Sequence, residues 1–169
     1  MKKCVVVVLC CILLCGCTKI HAKDAVISYL EKYRNFTTEI EQSLIDTLDE
    51  EKFTKEQREQ YILLMKKQFV NLTYKIKEEI YNGDKATIFV DITVYDYHHS
   101  IREALKENSA EENYINLQLE KMSKEKKKTT YTIAMKTRYE GNSWIVEQPD
   151  EDTIKKIQGT YYASDELLD

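Results

Sequence analysis

After position 17 the chain has no cysteine. Five occur in 169 residues, and the last is Cys17. Residues 18–169 therefore contain no disulfide, and their stability must come from a hydrophobic core. Proline occurs once and glycine four times. No CxxC pair, Gly-rich phosphate loop or nucleophile elbow is present, so the common redox, nucleotide and hydrolase signatures are missing. There is no basic excess: 25 Lys and Arg stand against 29 Asp and Glu, which is not the balance of a nucleic-acid binder. The uncharged stretch "CVVVVLCCILLC", Cys4 to Cys15, falls well short of the ~20 apolar residues that span a bilayer.

What that short stretch does have is order. Met1-Lys2-Lys3 is a positive opening, the apolar run follows, and Gly16 precedes Cys17 with Leu14 three positions upstream of it. This is the layout of a secretory signal. Leu14-Cys15-Gly16-Cys17 resembles the lipobox of bacterial lipoproteins. The resemblance implies cleavage between Gly16 and Cys17 and a diacylglyceryl group on the Cys17 thiol. A thiol is the best nucleophile for that thioether, and more than one acyl chain gives stable anchoring where a single chain gives reversible binding. The reading is a signal peptide over 1–16, an anchor and short tether over 17–23, one domain over 24–158 and a tail over 159–169. It places the protein, lipid-anchored, on the outer face of the cytoplasmic membrane of a Gram-positive-type bacterium.

Loss of Lys2 and Lys3 with the signal leaves 23 basic against 29 acidic residues. A chain of that sign is not built to lie flat on an anionic membrane. The tether "TKIHAK", Thr18 to Lys23, reaches at most ~20 Å when extended, so the domain sits close to the lipid.

Hydrophobic spacing then sets out the elements. Ala25, Val26, Tyr29, Leu30 and Tyr33 share a helical face, and Asn35 interrupts. Phe36, Ile40, Leu44 and Leu48 restart the period, with Thr38 and Glu41 spaced as a capping box. A second box, Thr54 with Gln57, opens a helix through Tyr61, Leu64 and Met65 that is expected to end near Lys67. From Val70 the period becomes two: Val70, Leu72, Tyr74, Ile76 and Ile80 alternate with polar residues. "YNGD", Tyr81 to Asp84, is a hairpin signal. The returning strand carries Ala86, Ile88, Val90, Ile92 and Val94 on one face and Thr87, Phe89, Asp91, Thr93 and Tyr95 on the other. A helical period returns from Ser100 to Met122, with the polar stretch "ENSAEEN" inside it. "KEKKK", Lys124 to Lys128, reads as a solvated turn, with an anionic-lipid contact as the sharper alternative. Tyr131, Ile133, Met135 and Tyr139 then alternate. "EGNS" turns the chain into Trp144-Ile145-Val146, Pro149 ends the sheet, and "EDTIKKI" makes a short helix. The expectation is an α+β domain. N-terminal helices pack on a curved antiparallel sheet of about four strands, with a helical insertion, residues 100–123, between two hairpins.

The stretches Ala25-Val26-Ile27-Ser28-Tyr29-Leu30, Asn82-Gly83-Asp84-Lys85-Ala86 and Gly141-Asn142-Ser143-Trp144-Ile145-Val146, in that order after the lipid cysteine, resemble the nuclear-transport-factor-2-like, or cystatin-like, lipoproteins. The resemblance implies a curved sheet wrapped around helices with a pocket at its open end. It implies no particular reaction.

Chemistry is sparse. Tyr74, Tyr131, Tyr139 and Trp144 fall on alternating positions and are the candidate pocket lining. In "DITVYDYHH", Asp91 to His99, adjacent histidines in a strand would point to opposite faces, so the expectation is a polar strand terminus with exposed rings. No catalytic or metal residue is assigned and no cofactor is implied. The sequence favours a non-catalytic binding or interaction domain, monomeric or a weak homodimer, for a small-molecule, envelope-polymer or protein partner, with function on the concave sheet face. An enzyme using the sheet pocket and a purely structural envelope protein are the alternatives.

Overall fold

The computed structural model describes residues 21–49, 53–107 and 111–162. The signal, Gly16, Cys17 and residues 163–169 of the expected tail lie outside them. The elements are α1 (Ala22–Arg34), α2 (Thr38–Asp49), α3 (Lys55–Val70), β1 (Thr73–Asn82), β2 (Lys85–Tyr95), α4 (Tyr97–Glu107), α5 (Glu111–Lys124), β3 (Lys128–Glu140), β4 (Ser143–Val146) and α6 (Glu151–Gln158). The four strands form one open antiparallel sheet in the order β1-β2-β3-β4. The fold is α+β, with α4 and α5 inserted between two hairpins.

Turn chemistry explains the hairpins. Gly83, at φ 64°, opens the two-residue loop between Asn82 and Lys85, the position at which a type II′ connection demands glycine. Gly141 and Asn142, at φ 57° and 69°, both adopt the left-handed conformation of a type I′ loop. The second capping box forms as read: the Thr54 N–H donates to Gln57 Oε1 at 2.8 Å, and the Gln57 N–H donates to Thr54 Oγ1 at 3.3 Å. The first does not, because α2 begins at Thr38, which puts that residue inside the helix.

Two boundaries and one register differ from the sequence expectation. Helix α3 runs to Val70, so Val70 belongs to no strand and is exposed, while Gln68 and Phe69 are fully buried on the helix. Strand β1 carries a bulge at Lys77, since Ile76 pairs Val90 while Glu78 pairs Phe89. The extra residue flips the alternation. Glu79 and Tyr81 therefore take the inner face opposite Ile88 and Ala86, and Ile80 turns outward. Helix α4 starts at Tyr97 rather than Ser100. Asp96 caps it, with its Oδ1 accepting the His99 N–H at 3.1 Å.

The core lies between the inner sheet face and the helices. Ile88, Val90 and Ile92 of β2 and Ile133 and Met135 of β3 are buried against Val26 and Leu30 of α1, Met65 and Phe69 of α3, and Leu119 and Met122 of α5. The sheet curls strongly. In a flat sheet β1 and β4 would stand about 14 Å apart. Yet the rings of Tyr81 and Trp144, on those two strands, lie 5.7 Å apart, with the small residues Ala86 and Thr137 in the register row of Tyr81 and Trp144 two residues from that row, opposite Tyr139.

The domain also reaches past its expected limits. Ala22 and Lys23, read as tether, begin α1: Ala22 is fully buried and Lys23 pairs with Glu79 at 3.2 Å. Beyond α6, Gly159 is buried, and Tyr161 packs edge-on against Tyr131 with ring centroids 5.8 Å apart.

Candidate functional site

The four residues expected to line one pocket are divided by the structure among three places. Tyr74 stands at the start of β1, facing α1. Its hydroxyl donates to Glu31 Oε1 at 2.6 Å, and the Arg34 guanidinium lies 5.9 Å from its ring centre. Tyr139 and Trp144 sit at the hairpin end of the sheet, with ring centroids 5.4 Å apart. Tyr131 lies at the opposite end, in the register row of Ile92. Ten residues of extended β2 separate the two ends, about 30 Å. A single pocket containing all four is therefore ruled out by register.

Trp144 forms one wall of a shallow groove between α1 and β4. Ala25, Ser28, Tyr29 and Lys32 supply the other wall. The Tyr29 and Tyr33 hydroxyls meet at 3.2 Å, and burial pushes the Tyr29 hydroxyl above its usual range. Trp144 is half-buried, at the rim of the domain.

The second concavity is built at the end of the sheet where β2 passes into α4. It encloses about 280 Å³ and is lined by Asp96, His98, His99, Arg102, Lys127, Thr129, Tyr131, Tyr161 and Tyr162. Three separate chain segments, 96–102, 127–131 and 161–162, converge here. Helix geometry explains the α4 contribution: His98 and Arg102 are four residues apart and so lie on one face. The expectation of a strand terminus with exposed rings is corrected for His98. The pair opens a helix, and the His98 ring is half-buried, stacked on Tyr162 with centroids 5.5 Å apart. His99 is exposed. Asp96 Oδ2 holds Lys127 at 3.3 Å, and the Asp96 N–H donates to the Lys127 carbonyl at 2.9 Å. Behind the turn, Glu125 Oε1 accepts the N–H groups of Lys126 and Lys127 at 2.9 and 2.8 Å, and its Oε2 accepts the Ser100 hydroxyl at 2.7 Å. The basic run is thus a pinned turn that aims Lys127 at the cleft.

Tyrosine planes and cations dominate this cleft. Lys156 Nζ lies 4.4 Å from the Tyr161 ring centre, and Lys155 Nζ lies 6.0 Å from that of Tyr162. Arg102 and Lys127 line the cleft against one carboxylate, Asp96. The arrangement suits a polar, anionic ligand that presents a flat apolar face. Among the described residues no group of three His, Cys, Asp or Glu side chains is placed to hold a metal, and no helix is long and apolar enough to cross a membrane.

Sequence reasoning missed Arg102 and the capping role of Asp96. Both had a signal: the Asp96-x-x-His99 spacing is that of an Asp N-cap, and once the helix starts there Arg102 follows on the face of His98. The chain matches no protein-family model, no curated protein and no solved structure.

Proposed function

We propose that the protein is an exported lipoprotein, held at the outer face of the cytoplasmic membrane by a diacylglyceryl group on Cys17, whose domain works by binding rather than by catalysis. The observation that carries the anchor is Leu14-Cys15-Gly16-Cys17 at the end of a short uncharged run behind Lys2 and Lys3. The resemblance to nuclear-transport-factor-2-like lipoproteins points the same way, and a curled open sheet over helices is the architecture that resemblance implies.

Binding is assigned to the tyrosine-lined cleft at the far end of the sheet. What supports it is the convergence of α4, the turn before β3, β3 itself and the segment after α6 on one concavity with cations on its rim. This keeps function on the inner sheet face, at the Tyr131 end, and brings His98 into it. The ligand is a small anionic molecule or a segment of an anionic envelope polymer.

The anchor is tested by Cys17→Ala. The variant should lose lipid labelling and leave the membrane fraction. Processing and membrane retention equal to wild type would end the lipoprotein reading. Binding is tested by Arg102→Glu combined with Tyr162→Ala. Capture of envelope material from detergent-solubilised membranes should fall while the melting temperature holds. Undiminished capture would remove the cleft from consideration.

A further inference from the structure

Around the hairpin end of the sheet the surface is apolar in an unusual pattern. Tyr81 and Tyr139 are each 45% exposed, and Trp144 lies between their rings. The outer side of the same end carries Ile80, turned out by the bulge, and Ile145, 48% and 40% exposed. The three rings, from β1, β3 and β4, cluster on the inner face, while Ile80 and Ile145 stand on the two edge strands of the outer face, with Lys85 and Thr87 of β2 and Lys136 and Arg138 of β3 between them. Trp144 is half-buried against α1, whereas the other four are exposed.

The point at which the chain enters the domain is at this same end. Helix α1 begins at Ala22, and the Tyr81 side chain reaches the backbone of Ala22. Lys23 pairs with Glu79, two residues before Tyr81 on the same strand face. From Cys17 to Ala22 is five residues, which span at most ~18 Å. If Cys17 carries lipid, no other end of the domain can come as near to the bilayer.

The chemistry of the rim fits that surface. Tyrosine and tryptophan are the side chains that settle at a membrane–water interface, because each joins an apolar body to a polar tip. Two of the charges beside them are paired: Lys23 meets Glu79, and Arg138 meets Glu140 at 3.0 Å. Lys85 and Lys136 also stand on the outer face of this end. Aromatic and aliphatic insertion is the contact that the ring cluster supports.

We propose that the rim formed by Tyr81, Tyr139 and Trp144, with Ile80 and Ile145, rests on the phospholipid surface into which Cys17 is anchored. The inference builds on the lipoprotein reading and goes beyond it by fixing orientation. The sheet stands end-on to the bilayer, and the tyrosine-lined cleft is held about 30 Å away from it, the length of β2, facing outward. A short tether thus presents the cleft to the envelope without a stalk.

Trp144 is the sole tryptophan of the chain and so reports on the rim without a label. The full-length lipidated protein is purified in detergent and reconstituted into phosphatidylcholine vesicles. Some vesicles carry a lipid brominated at a shallow position of the acyl chain, others at a deep one. Shallow bromine should quench Trp144 several-fold more than deep bromine. Replacing half the phosphatidylcholine with phosphatidylglycerol should leave the quenching unchanged. Ile80→Glu with Ile145→Glu, at exposed sites that leave the fold intact by circular dichroism, should at least halve it. Mass spectrometry of the mature N-terminus separates the two readings. A lipidated Cys17 with Trp144 unquenched by either lipid overturns the end-on orientation alone. An unlipidated Cys17 overturns the anchor, and the orientation with it. Dimer formation in vesicles with Trp144 shielded from bromine assigns the rim to a second copy and likewise overturns the proposal.

Discussion

The two ends of the sheet are closed in different ways. At the hairpin end aromatic rings meet and stay half exposed. At the other end a single amide closes the structure. Gln68 of α3 is fully buried, and its side chain makes three hydrogen bonds. Nε2 donates to the Tyr95 carbonyl at 2.9 Å and to the Gln158 carbonyl at 2.7 Å, while Oε1 accepts the Tyr95 N–H at 2.8 Å. It thereby ties together the last turn of α3, the end of β2 and the end of α6. Gly159 follows with φ 74°, and its carbonyl accepts the His98 N–H at 2.8 Å. Beneath them Tyr97 is buried, its hydroxyl donates to the Leu64 carbonyl at 3.2 Å, and burial pushes that hydroxyl well above its usual range. A satisfied polar junction is rigid and specific because every partner it loses is stranded in low dielectric. Aromatic packing whose hydrogen bond, from the Tyr81 hydroxyl to Glu79, is exposed to water is more forgiving. The contrast assigns precision to the cleft end and tolerance to the rim.

Gly159→Ala is expected to give the largest loss. A Cβ at this position would collide with Gln68 Nε2 and with the Tyr95 carbonyl oxygen. The left-handed conformation itself costs about 1–2 kcal/mol for a residue with a side chain, and breaking the amide's bonds adds a similar amount or more. The sum is ~3–5 kcal/mol, against a total margin of ~5–15 kcal/mol. Thermal unfolding should show it as a steep drop. A change within ~1 kcal/mol would mean that the junction yields easily, and the contrast between the ends would fail.

Gln68→Leu comes next. It keeps the volume and removes the polar atoms, leaving the Tyr95 N–H and two carbonyls without their partner. Buried groups stranded in this way cost about 1–3 kcal/mol each, with partial relief by water, so ~2–4 kcal/mol is expected. Urea titration would measure it. Gln68→Glu separates shape from hydrogen bonding: it retains an acceptor for the Tyr95 N–H and sets an anion against two carbonyls. It should be no better than the leucine variant, and stability near wild type would break the argument.

Trp144→Ala should be milder. The same truncation of a fully buried ring costs ~3–5 kcal/mol, but here the ring is only partly buried at the rim. About 1–2 kcal/mol is expected in detergent-free buffer. A loss as large as that of Gly159→Ala would show that the rim is part of the core and would equalise the two ends.

The two ends also differ in how far the sequence reveals them. The strands at the hairpin end announce themselves by alternation and by Asn-Gly and Gly-Asn turns, local signals that need no tertiary context. The cleft end was misread for a physical reason. Val70, Leu72 and Tyr74 alternate as a strand does, yet burial of Gln68 and Phe69 carries α3 through Val70, so tertiary packing overrides the local period. "YDYHH" is rich in aromatic residues with strand propensity, but the Asp96 cap settles it as a helix start. The bulge at Lys77 left no trace, since a single inserted residue is invisible without the partner strand. Gln68 left none either: an amide in a helix is ordinary until its three partners, 27 and 90 residues away, are brought to it. The α+β class was legible throughout, whereas the cleft depends on contacts between segments far apart in the chain.

The smallest expected effect tests whether burial, rather than polarity as such, makes the junction strong. Tyr74 lies at the same end of the sheet as Gln68 but on its edge, where its hydroxyl meets the partly exposed Glu31. That hydrogen bond first, and Arg34 second, hold the Glu31 carboxyl below its ordinary range. A carboxylate whose folded pKa is depressed stabilises the fold above its unfolded pKa of about 4.3. The contribution is lost as pH falls through the lower folded value. Tyr74→Phe should therefore cost under ~1 kcal/mol at pH 7, because an exposed polar contact is screened by solvent. The gap between variant and wild type should narrow further as the pH is lowered from about 5 through the unfolded and then the depressed folded value, below which Glu31 is protonated in both. Arg34 remains to hold part of the depression, so the gap should not invert. Melting temperatures of the two proteins across that range give the answer. A deficit above ~2 kcal/mol at pH 7 would mean that an exposed hydroxyl–carboxylate pair stabilises this domain as strongly as the buried amide, and burial could not then be what distinguishes the junction.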